Sequence, residues 1–351
     1  MKTPVEERLS PDPGSGEHHH TAFGLALRID PRISIPELGS RPDSVSAELP
    51  SHVRVDPDEL RRRWDALATR PERVREIHYG ETLLRSVDVA EPAGYLLWAR
   101  DFGRVLISPD GIELLCEPDP ANEDWASIIS AQALPLAATL RGLEVLHASG
   151  VVLDGRAVLV TGPPGAGKSS LAAALVRAGG QLLSDDAVAL ALSDATLTAH
   201  SGSVALQLRA AEHERLSAEE RAALGRLAGS IDGKHRYVST GVPDAAPLGG
   251  LFLLERSAAE PAVERLGAVD PFELIASTFN LSVRTPERLR RQLDVVSAIA
   301  SGGLAHRLRV QPGVDAGRLA AIVREHMEWG AVLGGPAPSG VLSRHERLLE
   351  L

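Results

Sequence analysis

Apolar and polar positions alternate over residues 23 to 29 as they would along a half-buried strand, and the Pro-containing stretch from 31 to 50 reads as a loop. A helix is expected next. Asp56 can cap its first turn, Pro57 suits the first helical position, Glu59 stands where a capping box places a carboxylate, and the pattern runs to about Thr69. Short apolar runs at residues 94 to 98, 104 to 107 and 111 to 116 are parted by Asp101-Phe102-Gly103 and Ser108-Pro109-Asp110, which predicts an antiparallel meander. Residues 125 to 140 carry apolar side chains at helical spacing, interrupted by Pro135.

The texture changes after Val145. Val151-Val152-Leu153, the turn Asp154-Gly155 and the run from Ala157 to Val160 form a hairpin signature whose second strand enters a glycine-rich turn. A helix over residues 169 to 178 follows. Further strands are expected at 181 to 183, 187 to 190 and 251 to 254, and helices at 218 to 227 (capped by Ser217), 286 to 299 and 316 to 329. No internal repeat is evident. The pattern predicts a flexible tail over residues 1–20, an α+β domain over 21–120, an α/β domain over 121–332 and a C-terminal tail over 333–351.

Composition narrows the classes. Apolar residues make up 44% of the 351 positions and charged residues 24%, a globular balance. A formal charge of -10 with 3% aromatic residues offers neither the basic footprint nor the stacking rings of a nucleic-acid binder. Net charge leaves room for a local cationic pocket, for which Lys168, Lys234 and Arg236 are candidates. Cys116 is the sole cysteine, so an internal disulfide is impossible and a reducing, cytoplasmic setting is expected. No run reaches the roughly 18 apolar residues of a membrane helix, and the start of the chain lacks an apolar signal core, so no membrane association is expected. His18, His19 and His20 are adjacent and cannot converge easily on one ion, which makes them a solvated run rather than a metal site.

Chemistry is concentrated in Gly162-Pro163-Pro164-Gly165-Ala166-Gly167-Lys168-Ser169, a G-x-x-x-x-G-K-[ST] match that follows an apolar strand and opens a helix. Its glycines let successive backbone N–H groups turn inward around phosphate oxygens, and the helix N-terminus adds a favourable dipole end that includes Ser170. Lys168 supplies a point charge to the β- and γ-phosphates, and Ser169 a hydroxyl to Mg²⁺. ATP and Mg²⁺ are therefore the expected nucleotide and ion. Asp185 and Asp186 stand at the end of the strand at 181 to 183, expected to neighbour the P-loop strand, where carboxylates serve metal binding or proton abstraction; the alternative is a solvated turn.

His147-Ala148-Ser149-Gly150-Val151, the P-loop and Leu182-Leu183-Ser184-Asp185-Asp186, in this order, resemble the core of the HPr serine kinase/phosphorylase family over residues 146 to 190. Fainter matches at Ala22-Phe23-Gly24-Leu25, Lys234-His235-Arg236 and residues 251 to 255 resemble the HPr-kinase-like proteins that include lasso-peptide precursor kinases. The resemblance implies a P-loop kinase core of the HPr kinase and phosphoenolpyruvate carboxykinase type, with a smaller N-terminal α+β domain. It also implies that Asp185 is the catalytic base, that Asp186 lies beside the metal and that His147 lies near the transferred phosphoryl. Lys234 and Arg236 are either a phosphate clamp or part of an ordinary loop, and Glu255 either backs the P-loop as an acid or closes a surface strand.

Three functions fit these residues. One is an ATP-dependent serine kinase acting on a peptide or small protein, which requires Asp185. Another is a nucleotide-dependent binding module, which needs only Lys168 and Ser169. The third is a small-molecule kinase. The region before residue 120 would then hold the acceptor or make a homo-oligomer contact.

Overall fold

The computed structural model describes residues 18–38, 49–67, 70–231, 233–267, 269, 271–279 and 281–333, so the expected tails over 1–20 and 333–351 lie outside the described residues except for 18–20 and 333. It is a mixed α/β fold. An eight-stranded sheet runs in the order His18–Ala22, Leu25–Ile29, Ser51–Val55, Glu113–Pro118, Gly103–Ile107, Gly94–Ala99, Thr82–Ala90, Glu72–Tyr79. Only Ser51–Val55 is parallel to its neighbours. The expected meander forms its middle.

Several boundaries differ from the sequence reading. His18, His19 and His20 belong to a strand, because cross-strand pairing with Ile29, Arg28 and Leu27 completes a ladder that composition does not reveal. Phe23 is not in a strand; with Gly24 it makes the hairpin turn, at φ 54°. The helix Pro57–Leu67 is capped by Asp56, whose Oδ1 accepts from the Glu59 N–H at 3.0 Å. Glu59 does not close a capping box, since its carboxylate is drawn to Arg62 and Arg63 one turn on. Around Pro135 the chain forms a π-helical turn Ile129–Ala133 and then the helix Leu134–Leu140, which places the proline in the first turn, where its missing N–H costs nothing. The helix expected over 218 to 227 stops at Leu224, and Gly225 leads into the strand Arg226–Ile231.

A second sheet, of nine strands, holds Gln181–Ser184, Ala148–Leu153, Arg156–Thr161, Ala245–Arg256, Thr196–His200, Val188–Ser193 and Glu144–Leu146 in that order, with Ala305–Val310 parallel to Ala245–Arg256 and Val263–Arg265 beyond it. The strand Arg156–Thr161 is apolar on both faces because both are covered. Val158 and Val160 meet Leu171 and Leu175 of the helix Lys168–Arg177, while Ala157 and Leu159 lie in the cluster of Val295, Val296 and Ile299 from the helix Pro286–Ser301. A third sheet of three strands, in the order Ala205–Arg209, Lys234–Val238 and Arg226–Ile231, stands beside the helix Lys168–Arg177.

The apolar interior does not break at residue 120. Trp125, Ile129, Leu134 and Ala137 pack beneath the first sheet on Val53, Leu97 and Val105, and the same cluster takes in Val145, Ala187 and Ala189 of the second sheet. Phe23 N–H also donates to the Ser201 carbonyl. The opposite face of the first sheet is covered by Leu60, set on Leu96, Leu106 and Leu115.

One buried ion pair fixes the far side of the second sheet. Arg288 donates to Glu144 Oε1 at 2.8 Å, with Gln292 and Thr278 completing the network. Burial pushes the Glu144 carboxyl up, and the Arg288 and Arg291 charges oppose it. Arg288→Ala strands that carboxylate in the interior and is expected to lower the unfolding free energy by about 3–5 kcal/mol. Urea titration measures this against Arg318→Ala, which removes a solvent-exposed pair with Glu260 and is expected to cost about 0–1 kcal/mol.

Candidate phosphate and acceptor site

The turn between Arg156–Thr161 and Lys168–Arg177 has the backbone that its glycines permit. Gly165 and Gly167 sit at φ 77° and 103°, where side chains are strained. A Cβ on Gly167 would meet nothing within 4 Å, and one on Gly165 only Arg209 Nη2 at 4.0 Å, so this side of the loop is open to a ligand. Gly162, at φ 149°, is constrained by packing as well, since a Cβ there would press the Leu254 Cβ at 3.1 Å. No side chain caps the helix at Gly167, which leaves its first N–H groups directed at the loop. Pro163 and Pro164 are exposed and Ala166 is buried beneath them.

Lys168 is buried, and its Nζ donates to the Gly162 carbonyl at 3.0 Å and the Pro163 carbonyl at 3.4 Å. Burial lowers its pKa, and the charges of Asp186 and Asp185 raise it again. Ser169 Oγ donates to Asp185 Oδ1 at 3.1 Å, while Ser170 turns away to Glu212.

Asp185 is 2% exposed and its carboxylate is held from three directions. Ser149 Oγ and Ser169 Oγ both donate to Oδ1, at 2.5 and 3.1 Å, and the Gln207 backbone N–H donates to Oδ2 at 3.1 Å. Burial and the adjacent Asp186 charge push its pKa up to about 6 against those hydrogen bonds. The strand Gln181–Ser184 is not next to the P-loop strand as the sequence suggests: Ala148–Leu153 pairs with both and lies between them, and Ser149 on this intervening strand bridges the gap.

Asp186 takes a left-handed φ of 68°, which aims its half-buried carboxylate elsewhere, toward Gln207 Nε2 at 3.2 Å. Its carbonyl faces His147 Nδ1 at 2.8 Å. A carbonyl only accepts, so the proton is on Nδ1 and Nε2 keeps a lone pair. Burial and the Lys168 charge hold the His147 pKa down, and the ring is neutral near pH 7.

The strand Ala205–Arg209 was not anticipated, nor were Gln207 and Arg209. The alternation Leu206-Gln207-Leu208-Arg209 was the available signal. Arg209 pairs in register with Lys234, and the Lys234 charge is felt at Lys168, so these two cations stand beside the P-loop. Arg256 Nη2 donates to the Gly165 carbonyl at 2.8 Å. Arg236 is not available as a clamp: although opposite Gln207 in register, it is buried against Glu37 and donates to the Ala228 carbonyl. Glu255 does not back the P-loop either, because it pairs with Arg307 at 2.8 Å and is half exposed.

Ser169 Oγ and Asp185 Oδ1 are 3.1 Å apart. Adjacent ligands of an octahedral Mg²⁺ at about 2.1 Å are separated by about 3 Å, so this pair fits one edge of such a shell. Among the described residues no three His, Cys, Asp or Glu side chains cluster as a metal cage. No described helix is long and apolar enough to cross a membrane.

No protein-family model matches the chain, and no curated protein matches it. Among solved structures it is similar to the HPr(Ser) kinase/phosphatase from Coxiella burnetii at 17% sequence identity and a TM-score of 0.32, over 54% of this chain and 94% of that one.

The raised pKa of Asp185 makes a stability prediction with a definite sign. Its proton is held more tightly in the fold than in the unfolded chain, so its stabilising share is full below about pH 4 and is lost as the pH rises through about 6. Asp185→Asn removes that loss. Thermal midpoints of variant and parent should shift in the variant's favour between about pH 4 and 6 and run parallel above about pH 7. A constant difference over the whole range would contradict the assignment.

Proposed function

We propose that the chain is a Mg²⁺-dependent ATP kinase that transfers the γ-phosphoryl group to a serine hydroxyl on a peptide or small protein. The observation that carries the proposal is the meeting of Ser169 and Asp185 at an open glycine loop. The backbone N–H groups of Gly165 and of Gly167 to Ser170, with the Lys168 ammonium, would hold the β- and γ-phosphates, while the Ala166 N–H is taken by the Pro163 carbonyl. Ser169 and Asp185 would hold Mg²⁺, which neutralises charge on the phosphate oxygens when bound. Arg209 and Lys234 add positive charge beside the loop.

The geometry supports a division of the carboxylates that reverses the one the family resemblance implies. Asp185 is nearly enclosed and already accepts three hydrogen bonds, one of them from Ser169 at the loop, which suits an ion shared with Ser169 better than an acceptor hydroxyl. Asp186 is reachable and has one side-chain partner. In this reading Asp186 accepts the proton of the serine hydroxyl as its oxygen bonds to the γ-phosphorus and the bond to the ADP oxygen breaks. His147, neutral and with a free lone pair on Nε2, orients the acceptor hydroxyl.

Lys168→Ala should remove most ATP affinity, read by calorimetric titration on the folded variant, and unchanged affinity would sink the nucleotide assignment. Asp185→Asn should raise the Mg²⁺ concentration needed for half-maximal transfer. Asp186→Asn should leave that requirement alone and lower the rate by about 10²–10⁴. The opposite pattern would return the base to Asp185. Binding of ATP with no transfer to any peptide would leave a nucleotide-dependent binding module.

A further inference from the structure

The edge of the first sheet brings positive charge to the acceptor side of this site. Glu72–Tyr79 is the terminal strand, and among the described residues no strand pairs with its outer edge. It carries two arginines with opposite circumstances. Arg73 is neutralised by Asp88 and Glu76. Arg75 has no carboxylate partner among the described residues; its Nη1 donates to the Phe279 carbonyl at 3.3 Å.

A bulge in the ladder sets where Arg75 points. The register skips a residue between Arg73 and Arg75, so Val74 and Arg75 together face Val87. Val87 and Val74 belong to the apolar cluster under the sheet, which turns Arg75 inward at the margin of that cluster. Arg85 is opposite Ile77, a diagonal neighbour of Arg75 on the same face, and its side chain makes no hydrogen bond or ion pair among the described residues. Burial and the Arg85 charge both lower the Arg75 pKa. Two like charges drawn together without a counterion, in a chain of net charge -10, are costly unless a ligand supplies the anion.

Their position relative to the acceptor site follows from Phe279. Its N–H donates to the Val145 carbonyl, the His147 N–H donates to the Ser277 carbonyl, and its ring lies 6.1 Å from that of His147. The Arg75 charge is felt at His147. Arg284, donating to the Val74 carbonyl at 3.5 Å, fastens the edge strand to the same segment.

We propose that Arg75 and Arg85 form a docking subsite for an acidic side chain of a peptide that lies along the Glu72–Tyr79 edge, next to the serine presented to His147 and Asp186. The subsite rests on the kinase reading for its purpose, not for its existence. An added strand would take its backbone hydrogen bonds from the sheet edge and its selectivity from the two guanidinium groups.

The test is peptide binding to the full chain, read by fluorescence anisotropy without phosphoryl transfer. The probes are fluorescein-labelled peptides with a central serine flanked by two glutamates, two glutamines or two lysines. The glutamate peptide should bind about 10-fold or more tightly than the glutamine peptide at low salt, and the preference should fade as salt rises. Arg75→Ala should abolish the preference, Arg75→Lys should keep part of it, and Arg75→Glu should transfer it to the lysine peptide. That inversion cannot come from a misfolded variant. Equal binding of the three peptides, no binding of any, or a glutamate preference that survives in the Arg75→Ala, Arg85→Ala double variant overturns the proposal. Selective binding without transfer to any peptide would uphold the subsite and sink the kinase, whereas transfer with no acidic preference would sink the subsite alone.

Discussion

The Asp185 carboxylate joins three pieces of chain that also share one apolar cluster. Ser149 comes from the strand Ala148–Leu153, Ser169 from the helix after the glycine loop, and the Gln207 N–H from the three-stranded sheet. A buried carboxylate with fewer donors would be too costly to keep charged, and one without a second charge nearby would need less support. The site therefore has to be satisfied from three sides, and the position of the helix N-terminus relative to the second sheet follows from that requirement. The raised pKa is what remains of the cost after these hydrogen bonds.

Around this anion the cations are arranged in two groups with different supports. Lys168, Arg209 and Lys234 stand at the glycine loop, carried by a helix and by two paired strands. Arg75 and Arg85 stand across His147, carried by the edge of the first sheet. Some arginines elsewhere are paired with carboxylates: Arg236 with Glu37, Arg288 with Glu144 and Arg307 with Glu255.

Legibility in the sequence followed how local the physics was. The glycine loop could be read because its φ values, its following helix and its lysine lie within eight consecutive positions, and the Asp154-Gly155 hairpin and the Ser217 cap could be read for the same reason. Gln207 could not, because it reaches Asp185 through a backbone N–H that any residue other than proline would offer. Arg236 was misread as free because its partner Glu37 is 199 residues away in the chain. The strand Glu72–Tyr79 was missed because six of its eight residues are Glu, Arg, His or Tyr, so an edge position exposed on much of its surface leaves no apolar alternation to detect. The adjacent aspartates were visible as a pair, but the different directions of their carboxylates depend on a left-handed φ at Asp186.

That difference also explains why the first sheet matters to a site built on the second. The carbonyl of Asp186 fixes the His147 ring, and the His147 backbone is tied to Ser277 and, through Phe279, to Arg75. Val145 belongs to the same apolar cluster as Val53 and Leu97 of the first sheet, so the strand leading into His147 is packed against that sheet and not merely linked to it. In the proposed reading, an acceptor hydroxyl at Asp186 would lie near groups carried by the first sheet, while the glycine loop follows a strand of the second and Arg209 and Lys234 come from the third.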